Sequence, residues 1–318
     1  MGRGMRIVVT GGAGFIGSHL VDRLVEMGHD VAVVDNLSSG RREFVNKAAE
    51  LHVRDLKDAD WGVGIRGEVV FHFAANPEVR LSTTEPVVHF NENVLATFNV
   101  LEWARQTGVK TVVFASSSTV YGDAEVIPTP EEAPYKPISV YGAAKAAGEV
   151  MCATYARLYG IKCLAIRYAN IVGPRLRHGV IYDFIMKLRK NPNVLEVLGD
   201  GTQRKSYLYI TDAMDATIQA WQKLEEEKEP YMALNVGNLD AVRVLDIAKI
   251  VSEVLGLRPE IKLVPATEDG RGWPGDVKYM TLSISKLMKL TGWRPTMTSA
   301  EAVRKTAEDL ARELWRTL

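Results

Sequence analysis

The sequence predicts an α/β protein built on a doubly wound parallel sheet, with a second, smaller α/β domain that binds substrate. Three observations carry that expectation. Short β-branched runs alternate with long amphipathic stretches through the first half, a glycine-rich turn follows the first run, and the alternation becomes irregular after about Ile171.

Ile7–Val9, Val31–Val34, Val69–Phe73, Val112–Ala115 and Cys163–Arg167 read as strands, because each is a short, mainly apolar run, most of them rich in β-branched residues. Phe15–Met27, Pro86–Thr107 and Val140–Tyr159 carry apolar residues at helical spacing. Strand and helix in strict alternation predict a parallel sheet covered on both faces, with ligands at the carboxyl ends of the strands. Beyond Ile171 the chain shows loops around Gly173-Pro-Arg, Gly199-Asp-Gly and Pro265–Gly275, and a last helix from Ser299. Strand-like Met232–Val236 and helix-like Val242–Leu255 predict that the chain recrosses between domains. The resulting division is residues 1–170 with 207–239 for the first domain and 171–206 with 240–318 for the second.

A length of 318 residues suits two closely joined domains. Lysine plus arginine equals aspartate plus glutamate at 39 each, so no global field favours nucleic acid or an anionic membrane, and any phosphate site must be local. Met1-Gly-Arg-Gly leads directly into an apolar strand without the hydrophobic stretch of a signal peptide or membrane span, which makes the cytoplasm the expected address. Cys152 and Cys163 fall on a helix and the following strand and read as buried, inert thiols. No metal site is suggested. The charge run Glu225–Glu229 reads as a solvated helix end.

The run Thr10-Gly11-Gly12-Ala13-Gly14-Phe15-Ile16-Gly17 places Gly11, Gly14 and Gly17 at three-residue intervals between a strand and a helix. That spacing suits a tight turn, close backbone approach to a pyrophosphate and close helix-on-sheet packing, with the helix N-terminus facing the phosphates. The fold is thereby a Rossmann type. Asp35 closes the second strand about twenty residues on, where a carboxylate accepts bonds from an adenosine ribose and repels a 2′-phosphate. NAD is the expected cofactor, although Arg41 and Arg42 nearby keep NADP open. Asp55 is either a partner for the adenine amino group or an exposed turn carboxylate.

Tyr141 and Lys145 stand four residues apart and so share a helix face. A neighbouring ammonium and a bound nicotinamide cation favour phenolate, so the expectation is that both lower the tyrosine pKa. Upstream, Phe114-Ala115-Ser116-Ser117-Ser118-Thr119-Val120-Tyr121-Gly122 ends the fifth strand and brings hydroxyls to the same sheet edge.

Together the glycine turn, the serine run and Tyr-x-x-x-Lys resemble the extended short-chain dehydrogenase/reductases, specifically the NAD-dependent sugar epimerases and dehydratases. Val33-Val34-Asp35-Asn36-Leu37, Phe71-His72-Phe73-Ala74-Ala75, Arg167-Tyr168-Ala169-Asn170 and Arg271-Gly272-Trp273-Pro274-Gly275-Asp276 are similar to the UDP-galactose 4-epimerising branch, in its compact archaeal form. The resemblance implies Ser117, Tyr141 and Lys145 as the catalytic set. Contacts to NAD are implied for Phe15, Ile16, Asp35, Asn36, Asp55, Leu56, Phe73, Ala74, Asn93, Tyr141, Lys145 and Tyr168. A sugar-nucleotide pocket is implied from Ser117, Tyr141, Asn170, Lys205, Tyr207, Arg271 and Asp276, with a UDP-sugar as the partner molecule. Lys205 stands where many relatives have arginine, and adjacent Arg204 is the alternative donor. Pro77 occupies the position of a lysine familiar in epimerases. Ser118-Thr119 replace the Asp-Glu pair of family dehydratases, which disfavours dehydration and leaves reversible oxidation at C4. In that mechanism Tyr141, assisted by Ser117, takes the 4-hydroxyl proton, and the 4-keto sugar turns before reduction on its other face. Other UDP-sugars and a non-catalytic NAD-binding scaffold are the alternatives. The helices Pro86–Thr107 and Val140–Tyr159 are apolar on more than one face, and the resemblance implies that they form a homodimer's bundle; burial within one chain is the competing explanation.

Overall fold

Side-chain alternation along each central strand explains the sheet. The computed structural model describes residues 4–315; residues 1–3, counted above in the first domain, and 316–318, counted in the second, lie outside the described residues. Strands β1 (Arg6–Thr10), β2 (Asp30–Asp35), β3 (Glu50–Val53), β4 (Val69–His72), β5 (Thr111–Ser117) and β6 (Lys162–Tyr168) pair in parallel with a later strand, Tyr231–Val236. Ile7, Val33, Phe71, Val113 and Ile166 face one hydrophobic cluster, while Val8, Ala32, Val70, Phe114 and Ala165 face the other. A strand buried on both faces reads as a continuous apolar run, which is why these were legible. Strand Glu50–Val53, at the edge, is the exception: none of its residues is fully buried.

The spatial order is Tyr231–Val236, β6, β5, β4, β1, β2, β3. Because β1 lies beside β4, the connections leave in opposite directions there and open a crevice at the strands' carboxyl ends. Helix α1 (Phe15–Glu26) packs Leu20, Val21 and Leu24 on one face, and Ala96–Thr107 and Val140–Tyr159 place Val100, Leu101, Cys152 and Ala156 on the other. Both cysteines are free and buried in that second cluster; contact with Cys163 and burial push the Cys152 thiol well up, as expected of an inert thiol.

Two expectations are corrected. Pro86–Thr107 is one helical path but not one regular helix: Pro86–His89 is α-helical, Phe90–Leu95 is a π-helical stretch, and Ala96–Thr107 is α-helical again. Val242–Leu255 begins as a short strand, Val242–Arg243, before the helix Val244–Leu255. In the charge run, Glu225 is tied down, accepting from Thr111 Oγ1 (2.6 Å) and Trp221 Nε1 (3.2 Å).

After β6 the chain leaves the sheet through Asn170–Val172 and helix Gly179–Lys190, then forms small sheets such as Val194–Leu198 with Glu260–Val264. It returns through Ile210–Glu226 and the seventh strand and leaves again. Arg204–Lys205 pairs with Val242–Arg243 and Tyr279–Met280, bringing together segments distant in the sequence around the candidate Lys205. Among the described residues no helix is long and apolar enough to cross a membrane.

Candidate active site

The glycine turn packs tightly on its surroundings. Gly11 has φ +72°, and a Cβ there would lie 2.6 Å from the Ala74 amide nitrogen, so β1 and β4 approach too closely for a side chain. A Cβ on Gly17 would collide with the Gly11 carbonyl, so the third glycine lets α1 sit directly on the turn. Gly14 is the N-cap of α1, which has no side-chain cap and no acidic residue in its first turn. Its first N–H groups therefore suit an anionic ligand.

Asp35 is buried at the end of β2, with Oδ2 accepting from Ala13 N (3.0 Å) and Oδ1 from Leu37 N (2.8 Å). Burial raises its pKa, opposed by those two N–H groups. Each oxygen keeps a lone pair, which suits ribose hydroxyls. The donor set and the close-packed turn fit a dinucleotide. Asn36 donates to Asp55 Oδ2 (3.3 Å), and Asp55 Oδ1 also accepts from Lys57 N (2.9 Å), so these two form one linked turn. Arg41 and Arg42 are exposed, and Arg41 pairs with Glu43 (3.4 Å).

Other cofactor candidates divide by environment. Phe15 is buried and Ile16, Phe73 and Ala74 are half-buried around the turn. Leu56 is part of the core. Asn93 is buried in the π-helical stretch: its Oδ1 accepts from Asn76 N (2.7 Å), and its Nδ2 reaches the Asn76 carbonyl (3.3 Å) and His89 Nδ1 (2.9 Å). Its amide therefore braces the loop after β4. Tyr168 shares a hydrogen bond with Thr217 Oγ1 (2.6 Å) and packs edge-on to Phe73, so its hydroxyl is turned into the core.

Behind this loop lies His72, buried on β4. Thr97 donates to the Asn93 carbonyl (2.6 Å), so it accepts from His72 Nε2 (2.9 Å), leaving Nδ1 to accept from Thr10 Oγ1 (2.7 Å). Burial pushes this imidazole down to about 3.

The helix Val140–Tyr159 starts at Ser139, whose hydroxyl accepts from Gly142 N at 3.1 Å. Tyr141, half-buried in its first turn, sits edge-on to His89 at a centroid distance of 5.9 Å. One turn on, Lys145 is buried, donates to the Ala115 carbonyl (2.7 Å) and lies 5.7 Å from the Tyr141 ring centroid. Burial pushes Lys145 down to about 8, while nearby Glu149 acts to raise it.

In the protein alone, burial pushes the Tyr141 phenol up to about 12, opposed by neighbouring Ser117. The Lys145 ammonium is directed at the Ala115 carbonyl. Ser117 ends β5, and its Oγ accepts from both the N–H (3.1 Å) and the hydroxyl (2.9 Å) of Thr119. Ser116 is turned away to Glu149. The structure thus brings Ser117, Tyr141 and Lys145 to one sheet edge and separates Ser117 from its neighbour. Thr119 and Glu149 were missed as partners of this set. Glu149 was detectable, because it continues the four-residue spacing of Tyr141 and Lys145 on the helix.

On the facing domain Asp276, 2% exposed, organises the remaining candidates. It accepts from Lys205 Nζ (2.8 Å) and Gly272 N (3.2 Å), and its carbonyl accepts from Arg271 Nη1 (2.6 Å). Arg271 also meets Asp123 in a two-pronged contact (3.1 and 2.9 Å), joining this cluster to the loop beyond the serine turn. Asn170 and Tyr207 are register partners on adjacent strands, and Asn170 Nδ2 donates to the Ser206 carbonyl (3.3 Å). The two basic neighbours differ in setting: Lys205 donates to Asp276, whereas Arg204 is exposed.

Residues 7–237 match the model of the NAD dependent epimerase/dehydratase family. A solved structure named UDP-galactose 4-epimerase is 81% identical with a TM-score of 0.92, the match covering 98% of this chain and 100% of that one. UDP-glucose 4-epimerase of Thermotoga maritima, solved with UDP-glucose, is 34% identical with a TM-score of 0.86 over 98% and 100% of the two chains. UDP-glucose 4-epimerase of Thermus thermophilus, solved with NAD, is 35% identical with a TM-score of 0.84 over 96% and 98%. With the glycine turn, Asp35 and the Ser117–Tyr141–Lys145 edge in place, this chain belongs to the NAD-dependent epimerase/dehydratase family.

Proposed function

We propose that the chain interconverts UDP-galactose and UDP-glucose by NAD-dependent 4-epimerisation. It is an isomerase acting on a nucleotide sugar, with NAD as its cofactor. The observation that carries the reading is the convergence of Ser117, Tyr141 and Lys145 at the crevice edge, in a chain 81% identical to a UDP-galactose 4-epimerase.

Bound NAD supplies reversible oxidation at C4. Tyr141 takes the 4-hydroxyl proton and returns it once the 4-keto sugar presents its other face. Ser117 donates to the C4 oxygen and orients it. Lys145 holds the nicotinamide ribose and sets a positive charge beside the phenol. Gly11, Gly14 and Gly17 cradle the pyrophosphate with Phe15 and Ile16 at the helix start; Asp35, Asn36, Asp55 and Leu56 surround the adenosine, and Phe73, Ala74, Asn93 and Tyr168 support the nicotinamide half. Asn170, Lys205, Tyr207, Arg271 and Asp276 grip the UDP part. Binding energy at that remote end leaves the hexose free to turn. Residues 1–170 with 207–239 form the cofactor domain in this reading, and 171–206 with 240–318 mainly the sugar-nucleotide domain.

The working form is a cytoplasmic homodimer. Val87 (64% exposed), Phe90 (56%) and Leu158 (64%) are uncovered on Pro86–His89, the π-helical stretch and Val140–Tyr159, so burial within one chain does not account for them.

Incubating the protein with UDP-galactose and no added NAD, then separating products, tests reaction, substrate and retained cofactor together. UDP-glucose is expected. Folded, NAD-loaded protein that forms none, while converting a uronic or N-acetylated UDP-sugar, would reassign the substrate; conversion of no UDP-sugar would overturn the reading.

A further inference from the structure

The helix face bearing Tyr141 and Lys145 carries a third polar residue one turn on, Glu149, which the proposed chemistry does not use. Glu149 is 0% exposed and Arg167 on β6 is 4% exposed. Donors surround the carboxylate. Arg167 reaches it through Nε (2.9 and 3.1 Å) and Nη2 (2.7 Å), Tyr135 through its hydroxyl (2.7 Å), and Ser116 through a short hydrogen bond to Oε1. Arg167 has no donor to spare, since its other N–H groups meet the Tyr121 hydroxyl (2.8 Å), the Glu131 carbonyl (2.9 Å) and the Tyr135 hydroxyl (3.1 Å). The clamp is rigid at both ends.

Its direction distinguishes it from an ordinary buried pair. Lys145 bonds the Ala115 carbonyl and Glu149 accepts from the Ser116 hydroxyl. Two residues one turn apart on the helix of Tyr141 therefore grip Ala115 and Ser116, the two residues just before Ser117 at the end of β5. Facing Lys145 are His72 from β4, His89 from Pro86–His89, and Tyr141 and Glu149 from its own helix. Burial lowers both imidazoles, His72 to about 3, so Glu149 is the one of these groups that brings negative charge. That charge favours the ammonium of Lys145 against burial, which pushes it down to about 8.

We propose that Glu149, clamped by Arg167, is a positioning residue for proton transfer: through Ser116 it fixes the strand end that presents Ser117, and it supplies the negative charge facing Lys145. The kinetic consequence rests on the epimerase reading above; the electrostatic one does not.

The test is Glu149→Gln in the full NAD-loaded chain, with two readouts. For UDP-galactose conversion, kcat is expected to fall by about tenfold with KM changed by less than about twofold, and the alkaline limb of the pH profile to move to lower pH. Independently of activity, NMR of ¹³Cε-labelled lysine, with the Lys145 signal assigned by Lys145→Arg, is expected to give a titration midpoint about one pH unit below wild type. A folded, NAD-retaining variant with either the wild-type kcat or the wild-type midpoint overturns the proposal. Should Glu149→Gln fail to fold, Ser116→Ala keeps the ion pair and its charge; kcat several-fold down with an unmoved Lys145 midpoint is expected, and a wild-type kcat overturns the positioning role. If the wild-type chain epimerises nothing, the functional reading fails while the NMR midpoint still decides the electrostatic one.

Discussion

Thr119 donates twice to Ser117, through its backbone N–H (3.1 Å) and its hydroxyl (2.9 Å), and so fills both lone pairs of the Ser117 oxygen. The Ser117 proton is left to be given away, to the Tyr141 phenol or to a substrate oxygen. The residue that stands where family dehydratases have an acid thus orients the Ser117 hydroxyl. Thr119→Val removes one of the two donors. The loss of a neutral hydrogen bond of about 1 kcal/mol translates to a kcat about fivefold lower with KM little changed. Ser117→Ala, which removes the donated proton itself, is expected to cost about 10²-fold or more. Steady-state assays of the two variants side by side check the order; equal losses would contradict it.

Lys145 predicts the alkaline behaviour. Its lysine is pushed down to about 8 by burial, so the ammonium is present below that pH and lost as pH rises through it. The turnover that depends on this positive charge should fall on the same limb. Lys145→Arg keeps the charge throughout the accessible range, because guanidinium does not deprotonate there. The variant is expected to be slower, since the planar fork fits the Ala115 carbonyl poorly, but its alkaline limb should move up by at least about one pH unit. An unmoved limb in the pH–kcat profile would assign it to another group.

Much of this was legible in the residue order, for physical reasons that also say where legibility stops. Strands β1, β2 and β4–β6 are buried on both faces, so their apolar runs stand out, and the glycine trio is demanded by contacts that no Cβ fits. Ser117, Tyr141 and Lys145 lie within short, ordered stretches of chain. What escaped depends on contacts distant in sequence or on alternation around a helix. Glu149 shares the four-residue spacing of Tyr141 and Lys145, but its ion pair exists only once Arg167 is folded against it, and the role of Asn93 depends on a π-helical stretch that periodicity reads as α-helix. Tyr168 kept its place beside Phe73 while its hydroxyl turned to Thr217, a partner 49 residues away.

The same long-range logic governs the facing domain, where Asp276 joins Lys205 to the turn that begins at Arg271. Asp276→Asn keeps the shape and the bond from Gly272 but releases the Lys205 ammonium. The expected result is a KM for UDP-galactose raised several-fold with kcat within about twofold, because the group acts on binding remote from C4. Asp276→Ala leaves Gly272 N and Lys205 without their partner and should also lower stability by about 1–3 kcal/mol, read by denaturant unfolding. A kcat loss without a KM change in the asparagine variant would place Asp276 in the chemistry and not in the grip.

His72 ties the cofactor turn to acid stability. Its imidazole bridges Thr10 and Thr97 as a neutral ring, and burial holds its folded pKa at about 3 against an ordinary value of 6.5. Between those two values the unfolded chain binds a proton that the folded chain refuses, so unfolding is favoured as pH falls. The stabilising effect of the neutral ring is therefore complete above 6.5 and lost progressively toward 3, at up to about 1.4 kcal/mol per pH unit. His72→Gln cannot titrate. It should be less stable at neutral pH, having lost a bridge between two buried hydroxyls, yet its unfolding free energy should fall less steeply than wild type from pH 6.5 downward. Denaturant unfolding at a series of pH values measures both quantities; parallel lines for the two proteins would show that the proton is taken up elsewhere.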